Sequence, residues 1–272
     1  MWSFFRACIV GALLAMIVVM CVAQAVKARH ARVELLSQTS GVEPGRQSWL
    51  GVHFSLEKGW HIYWRNPGDS GQPPVFQWQL PAGFSAGEVQ WPRPDKMKTS
   101  TLADYGYHDD TLLLVPIHTP GNLKNGQKIE IGLRAKWLIC REVCLSDHAE
   151  LHIFLPVATA ATENKNTVSF FAEAKKLVPK LWPPSWKATV IAGREDFVLS
   201  IRTGKPVDQA EFFPFEPDQI ENAAPQTLQK MAQGAKITLK KSDQLLKPVA
   251  ILKGVLVMGD DSYEIHAPVT NR

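Results

Sequence analysis

The chain has 272 residues, 45% of them hydrophobic, enough to bury one or two cores without cross-links. Lys and Arg number 30 against 26 Asp and Glu, and the formal charge of +4 is scattered rather than gathered in a basic stripe. That pattern gives no case for a nucleic-acid-binding protein. The 19 prolines argue against long uninterrupted helices. No GxSxG, HExxH or glycine-rich phosphate loop occurs, so hydrolase and nucleotide chemistry have no support.

The N-terminus reads as an export signal over residues 1–25. Arg6 supplies a positive end, Ala7 to Met20 an apolar run, and Ala23-Gln24-Ala25 a small-x-small cleavage site. An uncleaved anchor is the alternative, because Ala7 to Val26 approaches the ~20 residues that span a bilayer. The remainder is expected on the far side of the membrane.

Strand patterns follow in order. Ser48 to Leu56 is a strand, Glu57-Lys58-Gly59 a turn, and Trp60 to Trp64 a second strand ended by Asn66-Pro67-Gly68. Val75 to Leu80 alternates with period two. Thr111 to Ile117 is a buried-strand run that Pro116 pushes towards an edge or bulge. Ile129 to Trp137 alternates again, and Leu151 to Leu155 closes the segment. Short strands with frequent Gly and Pro turns indicate a β-sandwich or barrel over residues 30–157. Ala158 to Thr167 is small and polar, a linker. Val168 to Val178 has helical periodicity and stops before Pro179. Strands resume at Lys187 to Ala192, Phe197 to Arg202, Ala235 to Lys240, Val249 to Met258 and Tyr263 to Ala267, giving a second β-rich domain over 165–272. The predicted class is all-β.

The chemistry concentrates in Trp137-Leu-Ile-Cys140-Arg-Glu-Val-Cys144. The other cysteines, Cys8 and Cys21, lie in the export segment, so the exported part keeps this close pair alone. Closing so short a loop restricts the unfolded chain by only about 2 kcal/mol, a weak reason to keep a structural bond. Three readings stand: a redox pair, a metal pair or a local clip. On a strand-turn-strand, Arg141 to Val143 forms a three-residue loop and the two sulfurs face each other. The pair is not a Cys-x-x-Cys at a helix N-terminus, so that source of thiol acidity is missing. The metal reading draws on His148, spaced by four from Cys144, with His61, His108 and Met97 as further donors. Trp60, Trp64, Trp78 and Trp91 read as packing residues.

Several segments together carry a family resemblance: Gly59-Trp-His-Ile-Tyr-Trp-Arg-Asn-Pro-Gly-Asp-Ser-Gly71, Gln90-Trp-Pro-Arg-Pro94, Asp104-Tyr-Gly-Tyr107 and Trp137 to Cys144, in this order. The chain resembles the periplasmic N-terminal region of the DsbD/ScsB thiol:disulfide interchange proteins, in particular the ScsB-like branch. The likeness is strong from about residue 45 to 157 and weaker at Ile220 to Gln226 and Tyr263 to Pro268. It implies an immunoglobulin-like sandwich with Cys140 and Cys144 as the redox pair, in the periplasm. It implies thioredoxin-fold proteins as partners, a membrane electron donor, and an aromatic cap loop, with Tyr105 and Tyr107 in the matching place. His61 and Tyr63 are expected near the pair. The family's membrane and thioredoxin-like domains do not follow before Arg272, so the chain is expected either to receive electrons from a separate protein or to act without them. No cofactor, resident metal, nucleic acid or small-molecule substrate is expected. A copper-binding or copper-tolerance protein using the same cysteines, and a non-catalytic interaction module, are the competing functions.

Overall fold

The computed structural model describes residues 25–99 and 101–271; the segment expected to be an export signal lies outside them apart from Ala25. The N-terminal part is built from β1 (Val26–Ala28), β2 (Ala31–Ser37), β3 (Gln47–Leu56), β4 (His61–Gly68), β5 (Val75–Gln79), β6 (Ser85–Ala86), β7 (Asp95–Thr99), β8 (Leu102–His108), β9 (Asp110–His118), β10 (Lys128–Cys140) and β11 (Cys144–Pro156). One sheet runs β1-β2-β3-β9-β6 and the other β11-β10-β4-β8-β7, with β5 paired to β10. Period-two patterning packs them face to face. On β10, Ile129, Ile131, Leu133, Ala135, Trp137 and Ile139 point inwards, while Lys128, Glu130, Arg134 and Lys136 face water. Pro116 lies where β9 meets only the two-residue β6 on its outer side, so its missing N–H interrupts no long ladder.

Residues 158–167 are not a free linker. Ser40 N donates to Thr162 O and Asn164 N to Gln38 O, which lays the segment along the sandwich. Helix α1 (Val168–Leu177) follows and buries Phe171 and Ala174 against Leu36, Leu112 and Leu114. It ends where Val178 turns extended ahead of Pro179.

The second β-rich domain contains β12 (Lys180–Leu181), β13 (Lys187–Ala192), β14 (Asp196–Arg202), β15 (Glu211–Pro214), β16 (Thr227–Met231), β17 (Gly234–Lys240), β18 (Ile251–Met258) and β19 (Asp261–Asn271). Their order is β15-β18-β19-β13-β14-β17-β16, with β12 on β19. Val190, Leu199, Ile237, Leu252 and Ile265 centre a core of its own. Phe213 and Val255 instead join the core of the sandwich. There Phe213 meets Trp64 and Tyr105 edge-on, at ring-centroid distances of 6.4 and 5.1 Å. The described residues are therefore all-β apart from α1, a sandwich with a second β-rich domain packed against it.

Candidate functional site

Cys140 ends β10 and Cys144 starts β11, so the pair closes the longest hairpin of the sandwich. Arg141 to Val143 form the loop, and the cysteines stand opposite each other as a disulfide with their Cα atoms 4.1 Å apart. The two ends of the bond differ. Cys140 is 2% exposed, whereas Cys144, like the loop before it, is open to solvent. Arg141 leans back over the Trp60 ring at 5.1 Å, and His30 stacks on that ring at 3.8 Å, which pins one side of the hairpin.

His61 is the ladder partner of Cys140, and His108 is the partner of His61 on its other side. Alternation along β4 then puts Tyr63 on the same face as His61. The Tyr63 hydroxyl donates to Cys140 Sγ at 3.0 Å and lies 3.5 Å from Cys144 Sγ. Burial pushes the Tyr63 phenol above its ordinary pKa, so it holds its proton at neutral pH and acts as a donor. His61 packs edge-on against Tyr63, and its buried Nε2 has no hydrogen-bond partner among the described residues. Burial lowers the His61 pKa below its usual value, with Asp104 pulling the other way and His108 adding to the depression.

Tyr63 is covered in turn by the loop that follows β4's bulge. Gly71 has φ +77° and lies flat on the ring: a Cβ there would come 2.1 Å from Tyr63 Cζ. Asp104 holds this loop through Ser70, accepting from Ser70 N at 2.9 Å and from its Oγ at 2.8 Å. Asp69 accepts from Ala103 N at 2.6 Å.

Tyr105 and Tyr107 are not the residues lying on the pair. Gly106 is the partner of Tyr63, so its two neighbours point to the opposite face of β8, into the core. Tyr105 donates to Asn222 Oδ1 at 2.9 Å and Tyr107 to the Pro92 carbonyl at 2.8 Å. Burial raises both phenols well above their ordinary range. The residue in contact with the sulfurs is Tyr63, which the sequence placed near the pair without a role. His148 is not brought to the sulfurs either. It pairs with Lys136, four residues along β11 from Cys144, or about 13 Å. Among the described residues no three His, Cys, Asp or Glu side chains cluster as a metal site would require.

Residues 32–156 match the family model described as thiol:disulfide interchange protein DsbD, N-terminal. Over these residues the chain is similar to DsbD N-terminal domains. The N-terminal periplasmic domain of ScsB from Proteus mirabilis superposes with a TM-score of 0.65 at 15% identity, covering 88% of this chain and 93% of that one. The likeness thus extends beyond the DsbD N-terminal domain to the fold of both parts. A protein of unknown function from Porphyromonas gingivalis W83 aligns over 87% of this chain and 99% of its own at 9% identity, but its TM-score of 0.25 has no bearing on the fold. No curated protein matches the chain.

Proposed function

We propose that this protein exchanges disulfides with thiol proteins in the periplasm through Cys140 and Cys144. The observation that carries the reading is the asymmetry of the pair: an open Cys144 bonded to a buried Cys140 that already receives a hydrogen bond from Tyr63.

The DsbD N-terminal match supports this chemistry, and the geometry supports an order of events. A partner thiolate attacks Cys144 Sγ, the accessible sulfur. A bond forms between the partner sulfur and Cys144, the Cys144–Cys140 bond breaks, and the electron pair leaves on Cys140 as thiolate. The partner's second thiolate then attacks its own first sulfur, releasing Cys144. The partner ends as a disulfide and this chain as a dithiol, two protons being taken up from water. The reverse sequence reduces a partner disulfide, starting with attack by the Cys144 thiolate. Exchange is faster when the leaving sulfur is the better anion. The Tyr63 hydroxyl stabilises charge at the sulfur where it develops.

Proteins with a thioredoxin-type dithiol fit as partners, because the route needs a second thiol to resolve the mixed disulfide. A membrane-embedded thiol protein is the proposed source of electrons. Trapping tests the reading. Cys140→Ser leaves Cys144 free to form a mixed disulfide that cannot be resolved from within this chain. A periplasmic extract should yield a reducible adduct with Cys140→Ser and far less with Cys144→Ser. Absence of adducts from both variants would overturn the proposal.

A further inference from the structure

We infer that Asn222, in the second β-rich domain, is a positioning residue for the disulfide, acting through the loop that seats Tyr63 on Cys140. The inference rests on the exchange reading for its purpose, but its physical content can be measured without any partner.

Asn222 is 5% exposed and belongs to the Ile220 to Gln226 segment, one of the stretches that stand out in the sequence. Its turn is fixed on both sides: Glu221 N donates to Lys240 O at 2.9 Å, and Ala224 N to Glu221 O at 3.1 Å. Gln226 clips β15 through both groups of Phe212, each at 2.8 Å. The amide of Asn222 is thus presented from a rigid support.

That amide bridges two parts of the sandwich. Its Oδ1 accepts from Tyr105 Oη at 2.9 Å, and its Nδ2 donates to Asp69 Oδ1 at 2.7 Å. The bond to the Asp69 carboxylate is charge-assisted, hence of the stronger kind. Asn66 adds a second tether, donating to Pro214 O at 2.8 Å. Asn66 stands near the end of β4, and Asp69 lies in the loop that follows with Gly71, whose backbone rests on the Tyr63 ring. The contacts form a continuous series from Asn222 through Asp69 and Gly71 to Tyr63 and Cys140 Sγ. Tyr105 thus serves the site from the far face of the sheet, by fixing the amide that fixes the loop.

The polarity of the bridge provides the test. Asn222→Asp sets a second carboxylate against Asp69 and should loosen the loop. Combining it with Asp69→Asn restores a complementary pair, since the exchanged side chains can still accept from Tyr105 Oη and Ala103 N and donate across the gap. The readouts are the rate of disulfide reduction by dithiothreitol in the full chain and, in a Cys144→Ser background, the acidity of Cys140 from thiolate absorbance. Asn222→Asp should slow reduction by up to about tenfold, the scale of one hydrogen bond to a charged group, and raise the Cys140 pKa. The exchanged pair should restore both to within about twofold. In a Tyr63→Phe background, Asn222→Asp should have no further effect on either.

An unchanged rate in folded Asn222→Asp, or effects that multiply with those of Tyr63→Phe, would overturn the inference. If Asn222→Asp does not fold, the exchanged pair decides, and folding restored without the normal rate overturns it. Gly71→Ala provides an independent check. It disturbs the Tyr63 ring directly, so a normal reduction rate in that variant also contradicts the series. If the rates and acidities shift as stated while no partner adduct ever forms, the positioning role stands and the exchange reading fails.

Discussion

The Tyr63 hydroxyl donates to Cys140 Sγ across 3.0 Å, from β4 to the end of β10. A neutral disulfide sulfur is a weak acceptor, whereas a thiolate is a strong one. The contact therefore favours the state in which Cys140 carries charge. Tyr63→Phe removes the donor and keeps the ring. Reduction by dithiothreitol should slow about tenfold, with little change in thermal stability. Equal rates would mean that the hydroxyl does not assist the leaving sulfur.

His61 makes stability depend on pH. Its folded pKa lies below the ordinary value of 6.5, so the unfolded chain binds a proton more readily than the folded one. Its contribution is fully present above 6.5 and is lost as the pH falls through the folded value. Urea denaturation should show a loss of stability on acidification that is smaller in His61→Gln. Parallel profiles in the two proteins would assign the acid sensitivity elsewhere.

Phe213 ties the second β-rich domain to the core of the sandwich, between Trp64 and Tyr105. Phe213→Ala should cost about 3–5 kcal/mol, as for a large aromatic removed from a packed core. Because Asn66 and Asn222 make hydrogen bonds that join this region to the second domain, this variant should also loosen the loop on Tyr63. Hydrogen exchange should then show lower protection around residues 66–71. A stability change below about 1 kcal/mol would show that the contact is not a packed core.

The disulfide itself should matter little to folding. Its short loop limits the stabilisation to about 2 kcal/mol in the chain-entropy model. The double variant Cys140→Ser/Cys144→Ser should remain folded, with a denaturation midpoint only modestly lowered. An unfolded double variant would make the bond a structural clip.

The hairpin around Cys140 and Cys144 was legible because β10 alternates cleanly and a three-residue loop between opposed cysteines has few geometries. The strands over Ala31–Ser37, Asp95–Thr99 and Leu102–His108 were harder to see. The first two carry charged residues, and the last contains Gly106. Gly106 is needed there because a Cβ would come 2.1 Å from the Ile62 carbonyl oxygen. The same strand explains why Tyr105 and Tyr107 looked like a cap. Their position in the chain is beside the site, but a one-residue change of parity turns them into the core. The roles of Asn222 and Asp69 could not be read from the sequence, because the two residues are 153 positions apart and meet only after the second domain has docked.

The reduction potential of the Cys140–Cys144 pair, equilibrated against glutathione buffers in the purified protein, tests the central claim most directly. A cycling exchange pair should fall within roughly −120 to −270 mV, the range of known exchange proteins. A value below about −300 mV would mark a bond that thiol partners do not open, and would contradict the exchange function.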